Sequence, residues 1–401
     1  MKTHQARCQP SLSAAQKAHE AKDTSTPEVR RTPKLRRLFP RTGSWYDLTL
    51  LFVTVVVTAL GLAALPTPAD ATHQSFEGAT NWTQGVAFYG TDPWTQTFFA
   101  DVNGDGKADA LAVKSDGIRV RYSDGSQFRS EEKLTSSPFS GTVQTAFADV
   151  TGDKKADAIA IDRDTITVRR SENKERVITK ITEYADDSVL WHYFADIDAD
   201  GKADLIALTR WGVFVWKSRG DGNFGPIWKW TPPSGFPGEI STHFADVDGD
   251  GRADAIAVNY SGISVYLASK IFKWDKFDIY QPFWSPENWT PEGPLYGNRW
   301  EFFVDVTGDG KADLVLDNWD GLAVRNSLGT RFAGLENSLL RINGDLPCYR
   351  GGYWTEAEFF GDHGGTGFAD VEGRGGSAPI AIKSDGLWVR RNLYVRGVGC
   401  R

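Results

Sequence analysis

The residues best able to do chemistry in this chain are aspartates that recur in a fixed pattern. A stretch reading DVNGDGKAD begins at Asp101, and near copies begin at Asp149, Asp196, Asp246 and Asp305. In each copy, oxygen-bearing side chains fall at positions 1, 3, 5 and 9, and position 7 can offer its backbone carbonyl. Several hard oxygen ligands around one point suit Ca²⁺, which takes about 6–8 of them. The pattern therefore predicts five calcium loops, with Ca²⁺ as the cofactor.

The predicted ligands are the residues at positions 1, 3, 5, 7 and 9 of each loop. They are Asp101, Asn103, Asp105, Lys107 and Asp109; Asp149, Thr151, Asp153, Lys155 and Asp157; Asp196, Asp198, Asp200, Lys202 and Asp204; Asp246, Asp248, Asp250, Arg252 and Asp254; and Asp305, Thr307, Asp309, Lys311 and Asp313. Position 3 is an aspartate only in the third and fourth loops, which are therefore expected to bind calcium most strongly.

The loops are not EF-hands, although their opening resembles one. An EF-hand needs a bidentate Glu at position 12, where this chain has alanine or leucine (Ala112, Ala160, Ala207, Ala257 and Leu316). A sixth, altered copy begins at Asp370. It keeps Glu372 but has Arg374 and Ala378 where acids are expected, so we predict that it binds no metal and that Arg374 supplies the positive charge.

Each loop belongs to a longer repeat, with first aspartates 47 to 65 residues apart. A phenylalanine precedes each loop by two residues. A short apolar run such as ALAV at 110–113 follows it, then a turn that usually ends in glycine, then a valine-containing strand. Four-stranded units at this spacing are typical of propeller blades. We predict an all-β fold with six blades, or seven as the alternative, in which Asn81–Tyr89 supplies the outer strand of the last blade.

The repeat resembles the FG-GAP/VCBS repeat of integrin alpha-chain propellers, bacterial secreted repeat proteins and fungal N-acetylglucosamine-binding propeller lectins. The resemblance covers about residues 94–395 and rests on the F-A-D-V-x-G-D-G-x-A-D unit. It implies a calcium-stabilised β-propeller used for recognition. It does not imply one ligand, because a fold shared by many proteins serves many functions.

Residues 1–71 are predicted to be a targeting segment, and residues 72–401 the propeller. Basic residues precede an uncharged run at 48–65, and Ala69-Asp70-Ala71 offers small residues for cleavage before Thr72. The alternative is an uncleaved membrane anchor, because 18 residues can just span a bilayer. Either route places the propeller outside the membrane. Cys348 and Cys400 then form an even pair in an oxidising compartment and are expected to form a disulfide, with two separate thiols as the alternative.

The net charge and the motifs of the sequence argue against some classes of function. The net charge is −7 and no basic patch is evident, which argues against nucleic acid as a partner. The sequence contains no G-x-S-x-G, H-E-x-x-H or phosphate-loop motif, so we predict that the chain is not an enzyme. We expect a monomeric recognition module whose partner is a glycan, with a protein-binding scaffold or adhesin as the alternative and a hydrolase with its site at the mouth of the ring as a further one.

Aromatic residues are the candidates for ligand contact. The segment 272–300 is rich in aromatics and prolines, and Trp284 and Trp289 are its predicted binding residues; the alternative is that these rings only pack the loop onto its blade. Three further candidates lie just before the turn glycines: Trp211, Tyr260 and Trp319.

Overall fold

Every regular element in the described part of the chain is a β-strand. The computed structural model describes residues 76, 78–90, 97–172, 176–180, 189–209, 212–230, 236–268, 283, 287–290, 297, 299–318, 321–333, 351–353 and 365–392. Within them, no helix is long and apolar enough to cross a membrane. The predicted targeting segment, including the apolar run at 48–65, lies outside the described residues, as do Cys348 and Cys400.

The strands form six antiparallel sheets of four strands each. Blade 1 contains β2 (Thr97–Ala100), β3 (Asp109–Lys114), β4 (Gly117–Arg121) and β5 (Glu132–Lys133); blade 2 contains β6 (Gln144–Ala148), β7 (Asp157–Ile161), β8 (Thr165–Arg169) and β9 (Arg176–Lys180); blade 3 contains β10 (Val189–Ala195), β11 (Asp204–Thr209), β12 (Gly212–Ser218) and β13 (Phe224–Trp230). Blade 4 contains β14 (Ser241–Ala245), β15 (Asp254–Asn259), β16 (Gly262–Tyr266) and β17 (Glu287–Asn288); blade 5 contains β18 (Trp300–Val304), β19 (Asp313–Asn318), β20 (Gly321–Arg325) and β21 (Gly351–Tyr353); blade 6 contains β22 (Thr366–Ala369), β23 (Ala378–Lys383), β24 (Gly386–Val389) and β1 (Thr80–Asn81).

The six blades form a closed ring. The first strand of each blade contacts that of the next, and β22 contacts β2. The six-bladed propeller predicted from the repeats is therefore confirmed, and the seven-bladed alternative is wrong.

The last blade is completed by the beginning of the propeller, as predicted. The strand itself is Thr80–Asn81, which pairs with β24, whereas the sequence predicted a strand across Asn81–Tyr89. The strand ends early because Trp82 turns into the core and packs edge-on against Phe128, with ring centroids 5.5 Å apart.

The core lies between the blades. Six apolar clusters each combine residues from two neighbouring blades, and one of them joins blade 6 to blade 1. Alanines of the second strands, such as Ala110 and Ala207, are fully buried because small side chains let adjacent sheets approach closely. The phenylalanine before each loop fills the seam with the preceding blade: Phe147 packs on Phe98 at 5.0 Å and Phe368 on Phe302 at 4.8 Å.

The propeller has two distinct faces. Loops between first and second strands lie on one of them, the acidic-loop face. The turns between second and third strands lie at the opposite edge of each sheet, beside the beginnings of the first strands, because neighbouring strands are antiparallel. We call this the hairpin face.

Candidate metal loops and candidate binding face

The acidic loops join neighbouring blades through their backbone. The N–H at position 8 of each loop donates to the carbonyl of the position 1 aspartate in the preceding blade, as from Ala156 to Asp101 at 2.7 Å. Six such bonds run around the ring, and the bond from Ala108 to Asp370 closes it. The loops are thus part of the contact between blades as well as candidate metal sites.

The aspartate at position 1 organises its own loop. Asp101 Oδ1 accepts the N–H of Gly104 at 2.6 Å, and Oδ2 accepts that of Gly106 at 2.8 Å. Both glycines have φ of 81°, a conformation that glycine adopts without steric cost. The same pattern recurs in the loops of Asp149, Asp246 and Asp305.

The aspartate at position 9 ties the strands of its blade together. Asp109 is fully buried and accepts the N–H of Val102 at 3.2 Å and that of Ser123 at 2.9 Å. The same two bonds recur at Asp157, Asp204, Asp254 and Asp313. The sequence predicted these residues only as ligands. Their structural role was not predicted, because one N–H donor lies in the loop and the other follows the third strand of the blade. The sequence does not show that these two donors meet the same carboxyl group.

Burial raises the pKa of every position 9 carboxyl. The pKa is about 7 for Asp109, Asp204, Asp254 and Asp313, and about 6 for Asp157. The other loop carboxylates raise it further, while the two backbone N–H donors lower it. A divalent cation would favour the ionised form of these groups, because it supplies opposite charge at close range.

Carboxylates converge in the third and fourth loops. Asp196, Asp198 and Asp204 each offer an oxygen within 4.8 Å of the others, and so do Asp246, Asp248 and Asp254. Within the described residues, Asp198 Oδ1 is buried without a hydrogen-bond partner. Three converging carboxylates and an unpaired buried oxygen fit a hard cation such as Ca²⁺. The sequence expected the strongest sites in these two loops.

The first, second and fifth loops have fewer charged oxygens. Position 3 is Asn103 in the first loop, Thr151 in the second and Thr307 in the fifth. The two threonine hydroxyls each donate to the position 1 carboxylate of their own loop at 3.3 Å. Asp153 Oδ2 is buried and has no hydrogen bond. Calcium binding by these three loops stays a prediction.

Basic side chains at position 7 pair with the aspartate at position 5. Nitrogen–oxygen distances are 3.0 Å for Lys107–Asp105, 2.7 Å for Lys202–Asp200, 2.9 Å for Arg252–Asp250 and 2.6 Å for Lys311–Asp309. The sequence predicted only the backbone carbonyl of position 7 as a metal ligand. A cation that bound Asp105 would have to compete with the Lys107 ammonium, so each pair weakens the site it belongs to.

Lys217 distinguishes the third loop from the fourth. Its ammonium contacts Asp198 and lies 5.5 Å from the centroid of the Trp228 ring. Blade 4 has Leu267 at the equivalent position, one residue before the partner of its position 9 aspartate. The third loop therefore has a cation of its own chain against one of its candidate ligands. The fourth loop has no basic residue at this position.

The sixth loop neutralises its acid with arginines. Glu372 Oε1 lies 3.6 Å from Arg374 and 3.7 Å from Arg391, and its side chain is buried. Glu372 Oε2 accepts the N–H of Asn392 at 3.0 Å. This is the bond that position 9 aspartates make in other blades, and Ala378 stands at position 9 here. Glu372 thus makes one of the two bonds that this aspartate makes in the other blades.

The candidate ligand-binding aromatics fall into different environments. Trp289 is 0% exposed and packs edge-on against Phe332 with centroids 5.4 Å apart. This position matches the alternative that the ring packs its loop. Tyr260 is 67% exposed in the turn of blade 4. Trp284, Trp211 and Trp319 lie outside the described residues.

Trp289 belongs to an Asn-Trp-Thr clip that occurs twice. The Thr290 hydroxyl accepts the N–H of Ile263 at 2.8 Å, next to the turn glycine, and the Trp289 carbonyl accepts the N–H of Phe332 at 3.0 Å in the next blade. Asn81-Trp82-Thr83 makes the same set of contacts with Leu387 and Phe128. The repeated triplet therefore joins each of these blades to its neighbour.

We expect Trp289→Ala to destabilise the fold without affecting recognition. Removing a large buried aromatic side chain costs about 3–5 kcal/mol. Urea unfolding should show a lower midpoint with an unchanged slope. Trp191→Ala is the control, because an exposed ring contributes little to stability; equal midpoints for the two variants would contradict the core assignment.

Two exposed tryptophans were not among the sequence candidates. Trp191 in β10 is 64% exposed, and Trp300 in β18 is 60% exposed. Both occupy the same register position at the beginning of a first strand, opposite Leu208 and Asp317. They lie on the hairpin face, as does Tyr260. Their offset of three residues before the lead-in phenylalanine is visible in the sequence, but their exposure is not.

One serine and one histidine lie close together on the hairpin face. His243 Nε2 is 3.0 Å from Ser241 Oγ, and Glu301 Oε2 is 3.4 Å from the same oxygen. Burial lowers the pKa of His243 to about 4, so the ring is neutral. In a catalytic triad the carboxylate orients the histidine, whereas this carboxylate contacts the serine. The prediction that the chain is not an enzyme stays a prediction.

The repeats match a known family. Residues 101–160 and 196–257 match the family described as FG-GAP-like repeat. The chain carries FG-GAP-like repeats. A search of curated protein sequences found no match.

Two solved structures resemble this chain at low sequence identity. A Photorhabdus luminescens Tc holotoxin pore structure superposes with a TM-score of 0.54 at 16% identity; the match covers 79% of this chain and 14% of the toxin chain. An Agrocybe aegerita lectin, described as recognising non-reducing terminal N-acetylglucosamine, gives a TM-score of 0.49 at 18% identity and covers 75% of this chain and 77% of the lectin. At such identities the likeness concerns the fold alone.

Proposed function

We propose that this propeller is an exported, calcium-stabilised recognition module that binds carbohydrate through its hairpin face. The carrying observation is the distribution of exposed large hydrophobic side chains among the described residues. Seven are exposed, and Trp191, Tyr260 and Trp300 are the aromatic ones. All three lie on the hairpin face, whereas the acidic-loop face has none within the described residues. Large exposed aromatic side chains that share one face favour that face as the binding surface.

Carbohydrate suits this surface better than a purely apolar ligand. Flat rings of tryptophan and tyrosine can stack on the C–H face of a sugar, and both have a polar group as well. Polar groups lie beside them: Glu301 contacts Ser241 across the seam between blades 4 and 5. The exposed aliphatic residues Val86, Val143 and Leu190 on the same face favour a second candidate, a protein-binding scaffold or adhesin.

A glycan array with residues 72–401 separates the two candidates. We expect binding to at least one glycan class, and loss of that binding in the triple variant Trp191→Ala, Tyr260→Ala, Trp300→Ala. Ile178→Ala is the matched control, because Ile178 is equally exposed but lies on the outer strand β9. Capture of a surface protein by a chain that binds no glycan would support the scaffold instead.

Export and calcium complete the proposal. The chain's segment 1–71 has the composition of a targeting sequence, and calcium is plentiful outside cells. N-terminal sequencing of protein from the culture medium should begin near Thr72. Recovery only in membranes, with residues 1–71 intact, would support the anchored alternative.

A further inference from the structure

Blade 5 contains a buried acid where the other blades have aliphatic side chains. Asp317 in β19 is 1% exposed. The equivalent residues, four positions after position 9 of each loop, are Val113, Ile161, Leu208, Val258 and Ile382. Nothing in the repeat requires a carboxyl group here, because five other blades pack without one.

The carboxyl group of Asp317 lacks the partners that a buried acid needs. Neither Oδ1 nor Oδ2 has a hydrogen bond of full geometry, although burying a polar group without one is costly. Its nearest charge is the Arg299 guanidinium, 3.9 Å away. The Thr366 hydroxyl of blade 6 lies beside it, close enough to lower the pKa of Asp317 as a hydrogen-bond donor does, but the pair does not reach full hydrogen-bond geometry. Two buried polar groups with incompletely formed hydrogen bonds thus face each other across the seam between blades 5 and 6.

An exposed aromatic ring adjoins this pair. Trp300 is directly opposite Asp317 in the register of β18 and β19. Directly opposed residues project from the same side of a sheet, with Cβ atoms about 4.5–5.5 Å apart. The Trp300 ring is 60% exposed, so it reaches from the covered carboxyl group to the solvent at the hairpin face.

We propose that Trp300, Asp317, Thr366 and Arg299, here called the seam site, bind a sugar residue through two neighbouring hydroxyl groups. This inference rests on the proposed function and places its site. The two hydroxyls donate to Asp317 Oδ1 and Oδ2, Thr366 and Arg299 bond to the hydroxyl oxygens, and the Trp300 ring stacks on the sugar. Because the carboxyl oxygens are covered, the sugar reaches them by turning the exposed Trp300 ring aside.

The charges favour a neutral polyol over a cation. Arg299 already supplies positive charge to Asp317, so a metal ion or ammonium group would be repelled by the guanidinium. The Asp317 carboxylate can accept hydrogen bonds on both oxygens, so what the site lacks is hydrogen-bond donors. Burial raises the pKa of Asp317, and Arg299 and Thr366 lower it in part. Adjacent sugar hydroxyls supply two donors at the spacing of a carboxylate.

The test uses the protein with calcium and a panel of immobilised monosaccharides, including N-acetylglucosamine, mannose, galactose and fucose. We expect at least one to bind with a change in tryptophan fluorescence. Asp317→Val and Trp300→Ala should each weaken that binding about tenfold or more. Asp317→Val should also melt about 2–4 °C higher, because it installs the residue type of the other blades. Should it fail to fold, Asp317→Asn replaces it, and is expected to bind more weakly than the wild type.

Ile178→Ala is the matched control, since it removes an equally exposed apolar side chain from the outer strand β9, away from the hairpin face. Binding that is lost in Trp191→Ala but kept in Asp317→Val and Trp300→Ala would overturn the seam site and leave the carbohydrate function standing. A wild-type protein that binds none of the sugars would overturn both. A lower melting temperature for Asp317→Val with unchanged binding would show that Asp317 is structural.

Discussion

We expect the protein to melt at least about 10 °C higher in saturating calcium than in a chelator. Calcium bound only by the folded state stabilises it by about 2.7 kcal/mol per site at a hundredfold excess over the dissociation constant. The third and fourth loops, where three carboxylates converge, would together contribute about twice that. For large domains each kcal/mol moves the melting temperature by about 2–4 °C. Differential scanning fluorimetry with calcium and with EGTA measures the shift.

Single substitutions assign this shift to the loops. Asp248→Asn removes a charged ligand from the fourth loop and should abolish a large part of the calcium shift. Lys217→Met removes the cation that contacts Asp198, so the calcium shift should increase. Asp164→Asn changes an exposed turn of blade 2 and should leave the shift unaltered. Coincident melts of the wild type in calcium and in EGTA would exclude calcium as a stabilising ligand.

Much of the fold could be predicted from the sequence because the same repeat occurs six times. The lead-in phenylalanine, the acidic loop and the alanine-rich strand each have one geometric role, and six copies fix the number of blades. Boundaries were less certain where a strand is short. Thr80–Asn81 has only two residues, and its end is set by Trp82 packing on Phe128, 46 residues further along the chain. Such long-range packing leaves no periodic pattern in the sequence.

The site was predicted in its residue types but not in its partners. The sequence predicted the position 9 aspartates as metal ligands, yet each also accepts hydrogen bonds from two backbone N–H groups. The sequence predicted Glu372 as a remnant of an altered loop, yet it makes one of the two bonds of the missing aspartate by accepting the N–H of Asn392. Trp289 and Trp300 both lie near one aromatic-rich segment, but one is buried and the other exposed. Burial and the identity of a partner depend on neighbouring blades, so neither could be deduced from local sequence.

The second large effect is a fall in stability with rising pH, which calcium should remove. In the folded protein, burial raises the pKa of Asp109, Asp204, Asp254 and Asp313 to about 7 and that of Asp157 to about 6, from an ordinary value of about 3.8. Between pH 4 and 7 the folded chain therefore holds protons that the unfolded chain has released. Stability from these groups is full below pH 4 and is lost as the pH rises through 7.

Two histidines act in the opposite direction. Burial lowers the pKa of His192 and His243 to about 4, so their contribution is lost as the pH falls below 6.5. Five carboxyl groups outnumber two imidazoles, and above pH 6.5 only the carboxyl groups still titrate. In calcium-stripped buffer we therefore expect the melting temperature to fall by several degrees between pH 5 and pH 7.5.

Calcium should remove this fall, because the ion binds the ionised carboxylates and becomes more effective as they lose their protons. The calcium shift in melting temperature should be small at pH 5 and large at pH 7.5. Asp254→Asn removes one ionisable carboxyl group, so in calcium-stripped buffer the number of protons released on unfolding should fall by about one. The exposed substitution Asp164→Asn should leave this number unchanged. Stability that rises from pH 5 to pH 7.5 in stripped buffer would mean that the position 9 carboxyl groups are ionised throughout, with their two backbone N–H donors outweighing burial.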